Sequence, residues 1–171
     1  LTEVMGSVNG EDLTIFEDAY LQGLSGTALL QEWRRFYHEM ADAFAVADPA
    51  ARLPWAGPSM SARSSVTARL METWAHAQAI YDELGRDRKS TDAIENIVVL
   101  GMNTYAWTFA NRKQPVPEPR PCVVLTAPSG AVWEMGDVSG ERIEGLAEEF
   151  CQVITQCRNI ADTRLCVTGP N

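Results

Sequence analysis

The sequence lacks a long apolar run, has few basic residues and contains only two histidines. No stretch of about 18 apolar residues occurs, so we expect no membrane-spanning helix. Its 14 lysines and arginines stand against 23 aspartates and glutamates, and the net charge of -9 repels both a nucleic-acid backbone and an anionic bilayer. The first residues do not form a basic and then apolar leader. We therefore expect a cytoplasmic protein with neither a nucleic-acid nor a membrane partner.

The four cysteines, Cys122, Cys151, Cys157 and Cys166, form no C-x-x-C pair and have no histidine near them in the sequence. A structural zinc motif is therefore not indicated. A disulfide would be unusual in a reducing compartment. We interpret all four residues as small buried apolar side chains.

Apolar residues recur at helical spacing over most of the first two thirds of the chain. This pattern predicts helices over residues 11–24, from Thr27 to just before Pro49, from Ser59 or Ser61 to Gly85, and after Thr91 through Phe109. Residues 52–58 hold two prolines and a glycine, which predicts a loop. The tryptophans Trp33, Trp55, Trp74 and Trp107 are interpreted as core residues, although a large pocket between helices would also use them.

The character of the chain changes at Pro115, the first of four prolines between residues 115 and 121. We place a domain boundary there, with a helical domain over residues 1–114 and a small α/β domain over 115–171. The second domain is predicted to contain a β-hairpin (123–127 with 131–135), a helix over 143–159 and a strand over 165–168. The expected fold class is thus α+β and mainly α.

Glu72 and His76 are the candidate functional residues of the predicted central helix. They lie one turn apart, opposite the large apolar stripe and among small residues, so their face is either solvent or the wall of a cavity. This spacing lets one helix supply two ligands to a divalent metal such as Zn²⁺. The alternative is an exposed ion pair, with Arg69 also within reach of Glu72. His38, beside two arginines, is interpreted as a surface histidine.

The segment LPWAGPSMSARSSVTARLMETWAHAQAIYDELG, over residues 53–85, resembles actinobacterial proteins related to mycothiol-dependent maleylpyruvate isomerase, of the DinB-like bundle superfamily. The segments TFANR, VVLTAPSGAVWEMG and FCQVITQCRNIADTRL follow in the same order. The resemblance covers the chain from about residue 25 to the end.

The resemblance implies a four-helix bundle that holds a metal, usually zinc, followed by a small α/β domain. Glu72 and His76 match two of the family's metal ligands. The third is a histidine on an earlier helix, and no residue here matches it, so we expect a bundle that is incomplete at its N-terminus. The family often has an aspartate three residues after the metal histidine, where this chain has Ala79.

The activity implied is a metal-dependent isomerisation or transfer with a low-molecular-weight thiol, mycothiol, as cosubstrate and a small electrophilic molecule as substrate. An arginine such as Arg112 or Arg158 could hold a substrate carboxylate, but a surface or structural role is favoured for each. Two alternatives stay open: a metal-free cavity enzyme acting on an apolar substrate, and a non-catalytic binding protein with a vestigial metal site. A fragment that exposes apolar helix faces would also favour a homo-oligomer.

Overall fold

The computed structural model describes residues 15, 19–21, 23–54 and 59–169. The chain divides between Val66 and Thr67 into two compact units. Residues 19–21 are helical, and most of the helix predicted over 11–24 lies outside the described residues. No helix in the described part of the chain is long and apolar enough to cross a membrane.

Helix α1, Gly26–Val46, is the main element of the first unit and confirms the prediction of a helix ending before Pro49. Its polar face carries an ion-pair network in which Arg35 contacts Glu32 at 2.5 Å and Glu39 at 2.7 Å. The hydrogen bond from Arg35 lowers the pKa of Glu32 to about 2, with a further contribution from the hydroxyl of Tyr20. Glu32 and Arg35 therefore stay charged at neutral pH.

Two short strands follow α1, so the prediction of a loop from residue 52 is wrong at its first residues. Strand β1, Arg52–Leu53, pairs antiparallel with β2, Met60–Ser61. The guanidinium of Arg52 donates to the carbonyl of Ser59 and so closes the ribbon. Secondary-structure propensity could not predict this contact, because it joins the side chain of Arg52 to a carbonyl seven residues later in the chain. The remainder of the predicted loop, 55–58 with Trp55, lies outside the described residues.

Helices α2 and α3 lie close to their predicted positions. Helix α2, Ala62–Glu83, begins directly after Ser61, whose Oγ accepts a hydrogen bond from the amide of Ser64 at 3.1 Å. It ends before Gly85, whose φ of 56° places it in the left-handed region that favours glycine. A short 3₁₀ turn, Asp92–Ile94, leads into α3, Glu95–Asn111.

A four-stranded sheet forms the last third of the chain. Its strands are β3, Cys122–Thr126; β4, Val132–Met135; β5, Arg142–Leu146; and β6, Cys166–Thr168. They lie in the order β4-β3-β5-β6, and only the pairing of β3 with β5 is parallel. The predicted hairpin and last strand are confirmed.

The predicted helix over 143–159 is wrong at both ends. Residues 143–146 belong to β5, and helix α4 covers only Ala147–Ile154. Ile143 and Leu146 continue the apolar spacing of Phe150, which favours a helix when the sequence alone is considered. The parallel partner β3 overrides that local pattern, because pairing satisfies the backbone groups of residues 142–146.

The second unit has one apolar core in which α2, α3, α4 and the sheet take part. Its fully or nearly buried members are Trp74, Ile94, Ile97, Val98, Val123, Leu125, Ala147, Phe150 and Cys151. These residues come from both sides of the proline-rich segment 115–121. The α+β class is therefore confirmed, and the domain boundary at Pro115 stays a prediction.

The tryptophans do not all occupy the core. Trp74 is 5% exposed, as predicted, whereas Trp33 and Trp107 are 54% and 66% exposed. Trp33 lies on α1, which has no buried residue, and Trp107 lies beyond the buried first turns of α3. The prediction of a core position is therefore wrong for these two residues in this structure.

We expect Ile97→Ala to lower the free energy of unfolding by about 2–5 kcal/mol, because Ile97 is completely buried and its truncation leaves a cavity. Chemical denaturation followed by tryptophan fluorescence measures this change. Ile80→Ala, at a helical isoleucine that is 62% exposed, is the matched control and should stay within about 0.5 kcal/mol. Equal effects of the two substitutions would contradict the described core.

Candidate functional site

Glu72 and His76 lie side by side on α2, as their spacing predicts. Nε2 of His76 is 3.2 Å from Oε2 of Glu72, and the two side chains are 84% and 44% exposed. The structure therefore contains an exposed contact between the two side chains, in the place where the sequence offered an ion pair as one alternative. Nitrogen and carboxylate oxygen at this separation are also two donors that one metal ion can share.

The helix face that carries this pair forms one wall of a pocket of about 450 Å³. Met71 and Ala75 belong to the same wall. The opposite wall is formed by residues 154–157, which are the last residue of α4 and the turn that follows it. The sequence allowed this helix face to be either exposed to solvent or the wall of a cavity. In the structure it is the wall of a pocket that is open to solvent.

Arg158 attaches the turn to α2. Its guanidinium pairs with Oδ1 of Asp82, and the same oxygen accepts a hydrogen bond from the amide of Gln78 at 3.0 Å. These contacts, with Arg158 the larger contributor, lower the pKa of Asp82. The thiol of Cys157 adds a second attachment, because its Sγ lies 3.4 Å from the carbonyl oxygen of Ala75. The structural interpretation of Arg158 is confirmed.

Trp74 holds α2 from the side opposite the pocket. Its ring is buried in the core, and the guanidinium of Arg88 stacks on that ring at 4.5 Å from its centroid. Nη1 of Arg88 also donates to the carbonyl of Trp74 at 2.5 Å. Burial lowers the pKa of Arg88, and a guanidinium remains charged despite such a shift. Core packing and one arginine thus fix the part of α2 that bears Glu72 and His76.

The four cysteines occupy three different environments. Cys122 and Cys151 are buried, as predicted, and burial raises the pKa of Cys151 to about 12. Cys166 is exposed, so the prediction of a buried side chain is wrong there, because β6 is an edge strand. Cys157 is half-buried and lines the pocket. Sequence spacing gave no sign of this position, which depends on the contact of Cys157 with Ala75, 82 positions earlier in the chain.

The other residues that the sequence analysis considered do not line the pocket. His38 is exposed on α1, with its ring 4.2 Å from that of Tyr37, which agrees with a surface role. Arg112 and Ala79 are exposed as well. Among the residues that the structure describes, no group of three or more histidine, cysteine or acidic side chains is arranged to hold a metal ion. Glu72 and His76 are therefore two donors without a third in that part of the chain.

The chain is thus an α+β protein with a glutamate and a histidine paired on one helix beside a pocket. Residues 14–81, less than half of the chain, match the family model of the mycothiol maleylpyruvate isomerase N-terminal domain. The resemblance noted in the sequence is thus confirmed. The match includes Glu72 and His76 and ends at Tyr81.

Two relatives are uncharacterised proteins of Mycobacterium tuberculosis, one from strain CDC 1551 / Oshkosh and one from strain ATCC 25618 / H37Rv. Each is 38% identical to the chain over 143 residues, which is 82% of the chain and 55% of the relative. The chain thus spans about half the length of these curated relatives. No solved structure matches the chain significantly.

The Arg158–Asp82 pair should make stability depend on acid pH. Because the folded-state pKa of Asp82 is below its unfolded value, the pair stabilises the fold above about pH 4. This stabilisation is lost as the pH falls through the lowered folded-state value. We expect Asp82→Asn to melt below wild type at neutral pH and the difference to close toward pH 2.

Thermal unfolding between pH 2 and 7 measures this difference. Asp87→Asn is the matched control, because the structure describes no ion pair of Asp87, an exposed residue. A difference between Asp82→Asn and wild type that stays constant over the whole pH range would contradict the role of the Arg158 pair.

Alkylation should separate the cysteines by their exposure. With iodoacetamide near pH 8, we expect Cys166 to react first, Cys157 later, and Cys122 and Cys151 only after unfolding. Peptide mass spectrometry at timed intervals measures the order. Labelling of Cys151 in the native protein at the rate of Cys166 would be inconsistent with its burial.

Proposed function

We propose that the protein is a metal-dependent and thiol-dependent isomerase or transferase that acts on a small electrophilic organic substrate. The observation that carries this proposal is the pairing of Glu72 with His76 at 3.2 Å, on the wall of a 450 Å³ pocket and inside the segment that matches the mycothiol maleylpyruvate isomerase family. Mycothiol is the proposed thiol, because of the match to that family model.

The two side chains fit a zinc ion as a partial set of ligands. Imidazole nitrogen and carboxylate oxygen are both common zinc donors, and catalytic zinc sites use three protein ligands with one open position. Glu72 and His76 supply two of the three. We propose that the third comes from outside the described residues. When bound, such an ion lowers the pKa of a coordinated thiol or water.

The residues of the chain hold and orient the reactants in this proposal. Glu72 and His76 would hold the ion through a carboxylate oxygen and an imidazole nitrogen. Met71 and Ala75 supply apolar surface beside them, and the turn over residues 154–157 limits the space in which a substrate lies. A thiolate in this pocket would add to an electrophilic C=C bond of the substrate, forming a C–S bond while the π electrons move to the activating carbonyl oxygen. Expulsion of the thiolate after rotation about the former double bond would restore the C=C bond.

We further propose that α1 and α2 are two helices of a DinB-like four-helix bundle. The amphipathic pattern of α1 supports this, because Leu29, Trp33 and Met40 are 39–54% exposed and repeat along one face. In a bundle such a face packs on neighbouring helices. The small C-terminal α/β part and the boundary near Pro115 belong to the same proposal.

The competing proposal is a binding protein, or a metal-free cavity enzyme, that uses the same pocket. It is supported by the exposure of His76, since a ligand of a buried metal is expected to be shielded from solvent, and by Ala79 in place of the family's usual aspartate. In that case the Glu72–His76 contact is a surface ion pair, worth about 0.3–0.5 kcal/mol at most.

Metal content separates the two proposals. We expect the full-length protein to bind about one zinc ion per chain, and the double variant Glu72→Ala, His76→Ala to lose it. Plasma mass spectrometry after dialysis measures the stoichiometry. The double variant Glu83→Ala, His38→Ala is the matched control, because it removes the same two residue types and leaves the pocket intact.

Zinc bound equally by wild type and the Glu72→Ala, His76→Ala variant would reject the proposed site. So would the absence of zinc from wild type. Either result would leave the binding protein and the metal-free enzyme as the proposals to test.

A further inference from the structure

A second pocket, separate from the one beside Glu72 and His76, lies in the C-terminal part of the chain. Its volume is about 150 Å³. It is lined by Tyr105 of α3, by the proline-rich segment and by the loop that joins β4 to β5. No residue is common to the two pockets. A ligand can therefore occupy this volume whether or not the Glu72–His76 pair binds a metal ion.

The walls of this second pocket are held by backbone contacts. The amide of Cys122, directly after the proline-rich segment, donates to the carbonyl of Glu141 in the β4–β5 loop at 2.7 Å. Gly140 lies so close to the backbone carbonyl of Arg120 that a Cβ atom on this glycine would overlap it. Proline also restricts the backbone angle φ. The backbone thus sets much of the shape of the pocket, so a ligand has few flexible walls to order.

Carboxylates give the pocket a negative charge, since Glu118 and Glu141 both line it. Among the residues that the structure describes, Glu118 forms no hydrogen bond and no ion pair, although Arg120 lines a neighbouring pocket with it. Burial raises the pKa of Tyr105, and the two carboxylates raise it further against an opposing effect of Arg120. The carboxylates therefore outweigh the arginine at the hydroxyl of Tyr105, and the pocket favours a cation.

The apolar surface of the pocket indicates the shape of that cation. Three prolines and Tyr105 provide apolar and aromatic surface beside the carboxylates. A guanidinium group is planar, stacks on aromatic rings and donates paired hydrogen bonds to carboxylates. It is also more weakly hydrated than an ammonium group. A cavity of about 150 Å³ holds a molecule of the size of benzene, so a guanidinium group with a short alkyl chain fits this volume.

We propose that this pocket is a binding site for a guanidinium group, which stacks on Tyr105 and is held by the carboxylates of Glu118 and Glu141. The site adds a cationic ligand to the chemistry of the protein. It uses none of the residues of the proposed metal site, so either proposal can fail without the other.

A titration of the full-length protein followed by nuclear magnetic resonance, without added zinc, tests the site. The probe is methylguanidinium, and N-methylurea is the neutral control of nearly the same shape. We expect methylguanidinium to shift the amide signals of Ser139, Gly140 and Glu141 until they saturate. N-methylurea should leave these signals unchanged. A higher salt concentration should weaken the binding of methylguanidinium, because salt screens the attraction between charges.

Glu118→Gln should weaken the binding of methylguanidinium by about fivefold, because it removes a charge and keeps the shape of the side chain. Glu118 is exposed, so the melting temperature should not change. Glu134→Gln is the matched control, because Glu134 is an exposed glutamate of β4 that does not line this pocket. It should leave the affinity unchanged, which excludes a general attraction of cations to a chain with a net charge of -9.

A guanidinium group can come from a free small molecule or from an arginine side chain of a polypeptide. N-acetylarginine amide, which carries the backbone of an arginine residue, separates the two sources in the same titration. Tighter binding than that of methylguanidinium indicates an arginine side chain, and weaker binding indicates a small molecule. Both results support the guanidinium site.

Equal shifts with methylguanidinium and N-methylurea would overturn the inference, because the pocket would then not select a cation. An affinity that is unchanged in Glu118→Gln, or reduced equally in Glu134→Gln, would overturn it as well. None of these results depends on the zinc content that tests the proposed function, so the failure of one proposal is distinguishable from the failure of the other.

Discussion

The burial of Trp74 is the contact on which the geometry of the candidate site depends. Its indole fills the core formed by α3, α4 and the sheet, and Arg88 covers the ring while binding the carbonyl of the same residue. A helix with one face fixed in this way has its other faces fixed as well, because side chains advance by about 100° per residue. Glu72 and His76 thus lie on the pocket wall because Trp74 lies in the core.

Sequence periodicity predicted those parts of the fold that are governed by local interactions. The bounds of α1 and α2 follow from apolar spacing, from Ser61 as a cap and from Gly85 as an end, all of which act within a few residues. Strand β5 was predicted as helix because its assignment depends on β3, which lies about 20 residues earlier. The apolar pattern of a short stretch of sequence contains no information about pairing with a distant strand.

The candidate site, like the fold, was predictable from the sequence only where local interactions determine it. Glu72 and His76 could be identified because residues at i and i+4 on one helix must lie together, and the structure places them 3.2 Å apart. The opposite wall of the pocket could not be identified from the sequence. The approach of residues 154–157 to α2 depends on the Arg158–Asp82 pair and on the shared core.

The shared core also bears on how such a protein can change over evolution. The family match ends at residue 81, yet the other buried residues of the core that contains Trp74 lie between residues 94 and 151. A recombination event that joined the matched segment to an unrelated sequence would remove the residues that bury the indole of Trp74. Apolar surface would then be exposed. The helix that carries Glu72 and His76 and the small sheet are therefore expected to be inherited together as one unit.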